Sequence, residues 1–152
     1  MTIFVHIVLT AILVYSMTWT FKQIKEKVKK KKTIWVIEDN PWEVELIKLK
    51  ITKDGYRYKY FSSAKGILGP LSTSTPDALI VDHILGNSVT GDKIFKICRD
   101  NKINCLMVTG YDDEIAGVDK KYIVKKKSDM SHIDRVNDWL HSLFSDKGEI
   151  TC

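Results

Sequence analysis

Cysteine is sparse and odd in number. Cys98, Cys105 and Cys152 are the only three in 152 residues, and no two have the spacing of a metal-binding pair. Cys98 and Cys105 fall inside apolar patterns and read as small buried hydrophobes of a reducing compartment. No internal repeat is present. Charge of either sign is missing from residues 1–21, which contain no Asp, Glu, Lys or Arg. The basic excess is confined to one place: residues 22–32 hold seven Lys and one Glu, so residues 33–152 carry −1 of the net +5. The pI of about 9.0 is therefore a property of a short tract and is weak evidence for nucleic acid binding, and no nucleic-acid partner is expected.

The uncharged start, Thr2 to Phe21, reads TIFVHIVLTAILVYSMTWTF. About 20 mostly apolar residues rising 1.5 Å each span the ~30 Å hydrocarbon core of a bilayer. Thr10, Ser16 and Thr18 can bond back to helix carbonyls, and Tyr15 and Trp19 suit the interface. His6 has no charged partner within the segment, so it reads as a tolerated polar residue rather than a proton relay. Nothing basic precedes the run, which argues against a cleaved signal peptide. Lys22 to Lys32 then acts as a topology signal, placing the following domain in the cytoplasm, with added attraction to anionic lipid of about 1 kcal/mol per Lys. The expectation is a single-pass anchor in the inner (cytoplasmic) membrane over residues 1–21 and a basic linker over 22–32. Met17 offers an internal start that would delete the anchor.

From Thr33 onward, short apolar runs alternate with helical patterns. Strands are expected over Ile34–Ile37, Tyr56–Phe61, Asp77–Asp82, Ile103–Val108 and Tyr122–Val124. Helices are expected after Asn40-Pro41, over Ser62–Leu71 with a break at Gly69-Pro70, over Asp92–Asn101, over Asp112–Val118, and over Ser131–Phe144 with a Ser131/Asp134 capping box. Such alternation predicts an α/β fold, a parallel sheet covered on both faces. Residues 146–152 read as a tail.

The chain is organised around Ala78-Leu79-Ile80-Val81-Asp82, a fully apolar run that ends in one acid. In open parallel sheets the carboxyl edge of the strands carries the ligands. Four strand ends bring polar chemistry there: Glu38-Asp39, Asp82, Thr109 and Lys125. Clustered carboxylates repel unless a cation joins them, and an all-oxygen set of this kind suits Mg²⁺. A phosphoryl group could then be received, its charge met by the metal and Lys125 and by a hydrogen bond from Thr109.

VIEDNP, LIVDHILG, LMVTG and YIVK, in that order and each at a strand end, resemble the motifs of a response regulator receiver domain. The resemblance runs from Thr33 to about Phe144, within a domain of residues 33–145. It implies a flavodoxin-like five-stranded parallel sheet of order 2-1-3-4-5. It implies that Asp82 accepts a phosphoryl group from a histidine kinase or phosphotransfer protein. Glu38, Asp39, Asp82 and the main-chain carbonyl of Ile84 would hold Mg²⁺. Lys125 would pair with the carboxylate and then the phosphoryl group, Thr109 would move toward it, and Tyr122 would rotate inward behind it. The protein would be a phosphoacceptor rather than a turnover enzyme, with self-catalysed transfer and loss of the group, signalling to a downstream protein or passing phosphate onward.

Two positions depart from that pattern. Lys126 stands where the family usually has proline, often in a cis bond; without proline such a bond costs about 2.5–4 kcal/mol, so a trans or altered loop is expected. Leu85-Gly86 stands where a proline is common. Lys126 and Lys127 read as solvated charges, and Asp112 and Asp113 as acids at a helix start. A phosphatase with an aspartyl nucleophile would need a second Asp two residues after Asp82, and that position is Ile84. A DNA-binding output domain is not expected in the few residues after Phe144. The rival reading is a degenerate receiver serving as a phosphorylation-independent membrane scaffold.

Overall fold

Strand β3 (Ala78–Asp82) is buried along its whole length and lies at the middle of a five-stranded sheet. In this computed structural model the described residues are 6, 12–20, 31–86, 90–111, 115 and 117–145. The chain divides into two units, Met1–Lys31 and Lys32–Cys152.

In the first unit, residues 12–20 are helical and exposed. The hydroxyls of Ser16, Thr18 and Thr20 donate back to the carbonyls of Leu13, Tyr15 and Ser16, as expected for Ser16 and Thr18. Among the described residues no helix is long and apolar enough to cross a membrane. Half of the span read over Thr2 to Phe21, and the tract from Lys22 to residue 30, lie outside the described residues. Lys32 belongs with the second unit, where it pairs with Asp77 at 3.0 Å.

The second unit orders its elements as β1 (Thr33–Ile37), α1 (Pro41–Lys53), β2 (Arg57–Phe61), α2 (Ala64–Thr73), β3, α3 (Gly91–Asp100), β4 (Asn104–Thr109), a 3₁₀ turn (Lys120–Tyr122), β5 (Ile123–Lys125) and α4 (Ser131–Phe144). All pairings are parallel and the spatial order is β2-β1-β3-β4-β5. This is the parallel α/β sheet that the alternation predicts, in the flavodoxin-like order that the resemblance implies.

Because strand side chains alternate, each strand feeds two cores. Ile34, Val36, Ala78, Ile80, Leu106, Val108 and Val124 pack under α1 and α4, with Ile47, Ile51, Ile133, Val136 and Leu140. Trp35, Ile37, Leu79, Val81, Cys105 and Met107 pack under α2 and α3, with Ala64, Ile67, Ile94, Phe95 and Cys98. Each fully buried Ile or Leu adds about 1.5–3 kcal/mol of transfer free energy. Cys98 and Cys105 are buried free thiols within the second core, as expected.

Four local expectations change. Helix α2 runs through Gly69-Pro70 to Thr73; Pro70 lies beyond the first turn, and its carbonyl still accepts from Ser74 N at 2.9 Å. Of the helix read over Asp112–Val118, residues 112–114 and 116 lie outside the described residues, and 115, 117 and 118 are not helical. Tyr122 belongs to the 3₁₀ turn rather than to β5. The cap of α4 is not the Ser131/Asp134 box: Met130 occupies the cap with a left-handed backbone (φ 59°), and Asp129 Oδ1 accepts from Ser131 N at 3.0 Å. By contrast Asn40 and Pro41 act as read, Asn40 Oδ1 accepting from Trp42 N at 3.1 Å. No cis peptide bond occurs among the described residues.

Candidate functional site

The carboxyl ends of β1 and β3 are adjacent, so the acids that follow them meet. One carboxylate oxygen from each of Glu38, Asp39 and Asp82 lies within 4.8 Å of the others. Glu38 is 2% exposed and Asp82 7%, whereas Asp39 is exposed. Glu38 Oε1 accepts from Asn40 N (3.1 Å), and Asp39 Oδ2 accepts from Gly86 N (3.0 Å), which ties the loop after β3 to the acid pair. Burial, reinforced by the charge of Asp82, pushes Glu38 up to about 7, against the opposing pull of Lys126. Burial likewise raises Asp82, again opposed by Lys126. Carboxylates that resist ionisation together are a donor set that a divalent cation would relieve, and the all-oxygen chemistry fits Mg²⁺. Ile84, whose carbonyl the resemblance adds to this set, lies in the loop two residues past Asp82.

The ammonium at the acids is not the one read from the motif. Lys125 Nζ donates to the main-chain carbonyl of Tyr111. Lys126 Nζ instead lies 3.0 Å from Glu38 Oε2, 3.2 Å from Asp82 Oδ1 and 2.9 Å from Glu43 Oε2. Its side chain is only 19% exposed, so the reading of Lys126 as solvated is corrected. Burial would lower its pKa, but Glu43, Glu38 and Asp82 together raise it well above the ordinary lysine range.

The reason is sheet parity. Glu38, Asp82 and Lys126 continue the alternation of Val36, Ile80 and Val124, the face under α1 and α4. Thr109 and Lys125 continue that of Met107 and Ile123, the opposite face. Lys126 N donates to Thr109 O at 2.7 Å, carrying the ladder one residue past β5.

Thr109 is fully buried. Its Oγ1 accepts from Tyr111 N at 3.1 Å and lies 3.5 Å from His83 Nδ1. Tyr122 is 38% exposed, with its ring centroid 5.9 Å from that of Phe95. The sequence reading missed two further residues. Glu43, in the first turn of α1, is 8% exposed; its signal was the row Glu43, Ile47, Ile51 at helical spacing, an acid on the core stripe. His132, in the first turn of α4, is 1% exposed, with Nε2 3.9 Å from Glu43 Oε2 and Nδ1 accepting from Lys127 N at 3.2 Å.

No protein-family model matches the chain, and no curated protein matches it. Solved structures do. A CheY-like response regulator receiver domain from Methylobacillus flagellatus aligns at TM-score 0.60 and 19% identity, over 75% of this chain and 99% of that one. The response regulator TrrA of Thermotoga maritima, solved in complex with Mg²⁺-BeF, aligns at 0.63 and 20%, over 74% and 98%. The phosphorylated cyanobacterial phytochrome response regulator RcpA aligns at 0.63 and 13%, over 80% and 99%. At these identities the likeness is one of fold: the second unit has the receiver fold of response regulators.

Proposed function

We propose that the protein is a response regulator whose Asp82 accepts a phosphoryl group. The observation that carries this reading is Asp82 itself. It is a nearly buried carboxylate at the end of the central strand, grouped with Glu38 and Asp39 and faced by an ammonium at 3.2 Å. An Asp82 carboxylate oxygen would attack phosphorus in the phosphohistidine of a kinase or phosphotransfer protein. An O–P bond forms, the N–P bond breaks, and its electron pair leaves with the imidazole, which takes up a proton. Mg²⁺ bound by Glu38, Asp39, Asp82 and the Ile84 carbonyl would supply charge neutralisation. Thr109 would donate a hydrogen bond to a phosphoryl oxygen, and Tyr122 would turn inward behind it.

The test is phosphoryl incorporation into the full chain with Mg²⁺ and acetyl phosphate, read by intact mass and by loss of the added mass in alkali. The parent is expected to incorporate one group and Asp82→Asn to fall by roughly 100-fold or more, since no other carboxylate has its position. Equal incorporation in both proteins rejects the assignment. The three-carboxylate seat of Lys126 favours a second reading, a receiver that is never phosphorylated and acts as a scaffold. Failure of a folded parent both to incorporate and to bind Mg²⁺ would select it.

Membrane attachment through Thr2–Phe21, assisted by Lys22–Lys32, rests on the sequence alone. It would raise the effective concentration of the domain near a membrane-bound kinase. The full chain is expected in the membrane pellet, resistant to a salt wash, and a chain lacking residues 1–32 in the supernatant. Recovery of both in the supernatant excludes the anchor.

A further inference from the structure

We propose that Lys126, one residue beyond the motif position, is the ammonium that engages a phosphoryl group on Asp82, and that Glu43 is the positioning residue holding it there. The inference rests on the phosphoacceptor reading and deepens it.

Three observations carry it. Lys126 reaches Asp82 Oδ1 and Glu38 Oε2 at once (3.2 and 3.0 Å), so its charge already lies against the carboxylate that would carry the phosphoryl group. Its parity with Val124 places it on the sheet face of both acids, whereas Lys125 shares the face of Thr109. Third, Glu43, on α1, lies 2.9 Å from the same ammonium. Glu43 is not in the motif that carries the resemblance, and it has a second buried neighbour in His132. Because His132 Nδ1 accepts from Lys127 N, the neutral ring carries its proton on Nε2, toward Glu43. The loop that begins at Lys126 is thus pinned by its side chain to α1 and by its next amide to α4.

This arrangement assigns distinct effects to the two residues. Lys126 touches the reacting group. Glu43 touches Lys126 and His132 but not Asp82's reacting oxygen, and its loss frees the ammonium without removing it.

The decisive comparison uses parent, Lys126→Met and Lys125→Met full chains with Mg²⁺ and acetyl phosphate, with far-ultraviolet circular dichroism to establish folding. Lys126→Met is expected to lose at least roughly tenfold more incorporation than Lys125→Met. The reverse order, or equal losses, overturns the assignment while parental incorporation at Asp82 leaves the phosphoacceptor reading intact. A parent that takes up no phosphoryl group overturns both. A second measurement needs no Lys126 variant: competitive acetylation of the native chain, located by peptide mass spectrometry. Lys126 is expected to react about fivefold or more slowly than the exposed Lys93, because its ammonium is paired and enclosed. Glu43→Gln is expected to speed Lys126 alone, by roughly threefold or more, with Lys50 and Lys93 unchanged. Acetylation of parental Lys126 at the rate of Lys93, or no response to Glu43→Gln, overturns the role given to Glu43.

Discussion

Gly91→Ala is expected to destabilise the second unit by about 3 kcal/mol or more, lowering Tm by roughly 10 °C. A Cβ on Gly91 would stand 2.2 Å from the Asp82 carbonyl oxygen and 2.9 Å from the His83 Cα. Both are backbone atoms of the central strand's end, and neither can move aside without shifting the strand. Gly91 N donates to His83 O at 2.9 Å, so the first turn of α3 is built directly on that strand end. Relief of the clash must move either the helix or Asp82. The same variant is therefore expected to weaken Mg²⁺ binding, measured by titration calorimetry. Gly66→Ala is the control: it lies in α2 away from Pro70, an alanine methyl there would meet Ser63 Oγ at an ordinary 3.5 Å, and it is expected to gain about 0.5–1 kcal/mol. If Gly91→Ala melted with the parent, the close approach of α3 to β3 would be wrong.

Lys126→Met carries the other large effect, and its sign with pH is specific. Removing one partner of a buried ion pair leaves the others uncompensated, at a cost of about 3–5 kcal/mol. Here three buried carboxylates, Glu38, Glu43 and Asp82, lose one shared ammonium. In the parent, burial and then the charge of Asp82 raise Glu38 from 4.5 to about 7. A raised carboxyl binds its proton more tightly when folded, so its contribution is fully present below pH 4.5 and is lost as pH rises through 7. Lys126 opposes that rise, so its removal deepens the loss on the alkaline side. Without metal, the melting point of Lys126→Met is expected to fall below that of the parent by roughly 10–20 °C at pH 8. The gap narrows toward pH 5, and saturating Mg²⁺ closes part of it at pH 8. A gap equal at both pH values would show that the three acids do not depend on this lysine.

The site was legible in part. Asp82 announces itself because a single acid ends an unbroken apolar run, at the carboxyl edge of a buried strand. Glu38, Asp39 and Thr109 follow the same rule, and all four lie where the sequence places them. The motif points to Lys125, and Lys126 lies at the acids because it shares the parity of Val124, one residue past a three-residue strand too short for the sequence to show which face it turns to them. Glu43 and His132 were passed over because the contacts that bring Glu43 to Lys126 and to His132 join positions more than 80 apart in the chain.

The sequence alone determined the order of strands and helices, the parallel sheet those alternations require, and the edge at which the acids gather. These depend on periodicity and on the rule that crossovers in a parallel sheet have one hand. Only the tertiary structure decided which lysine faces the acids, that Glu43 joins them, and that α3 begins against the backbone of Asp82. Those depend on which face of one strand meets which helix, a relation between distant segments that no local pattern encodes.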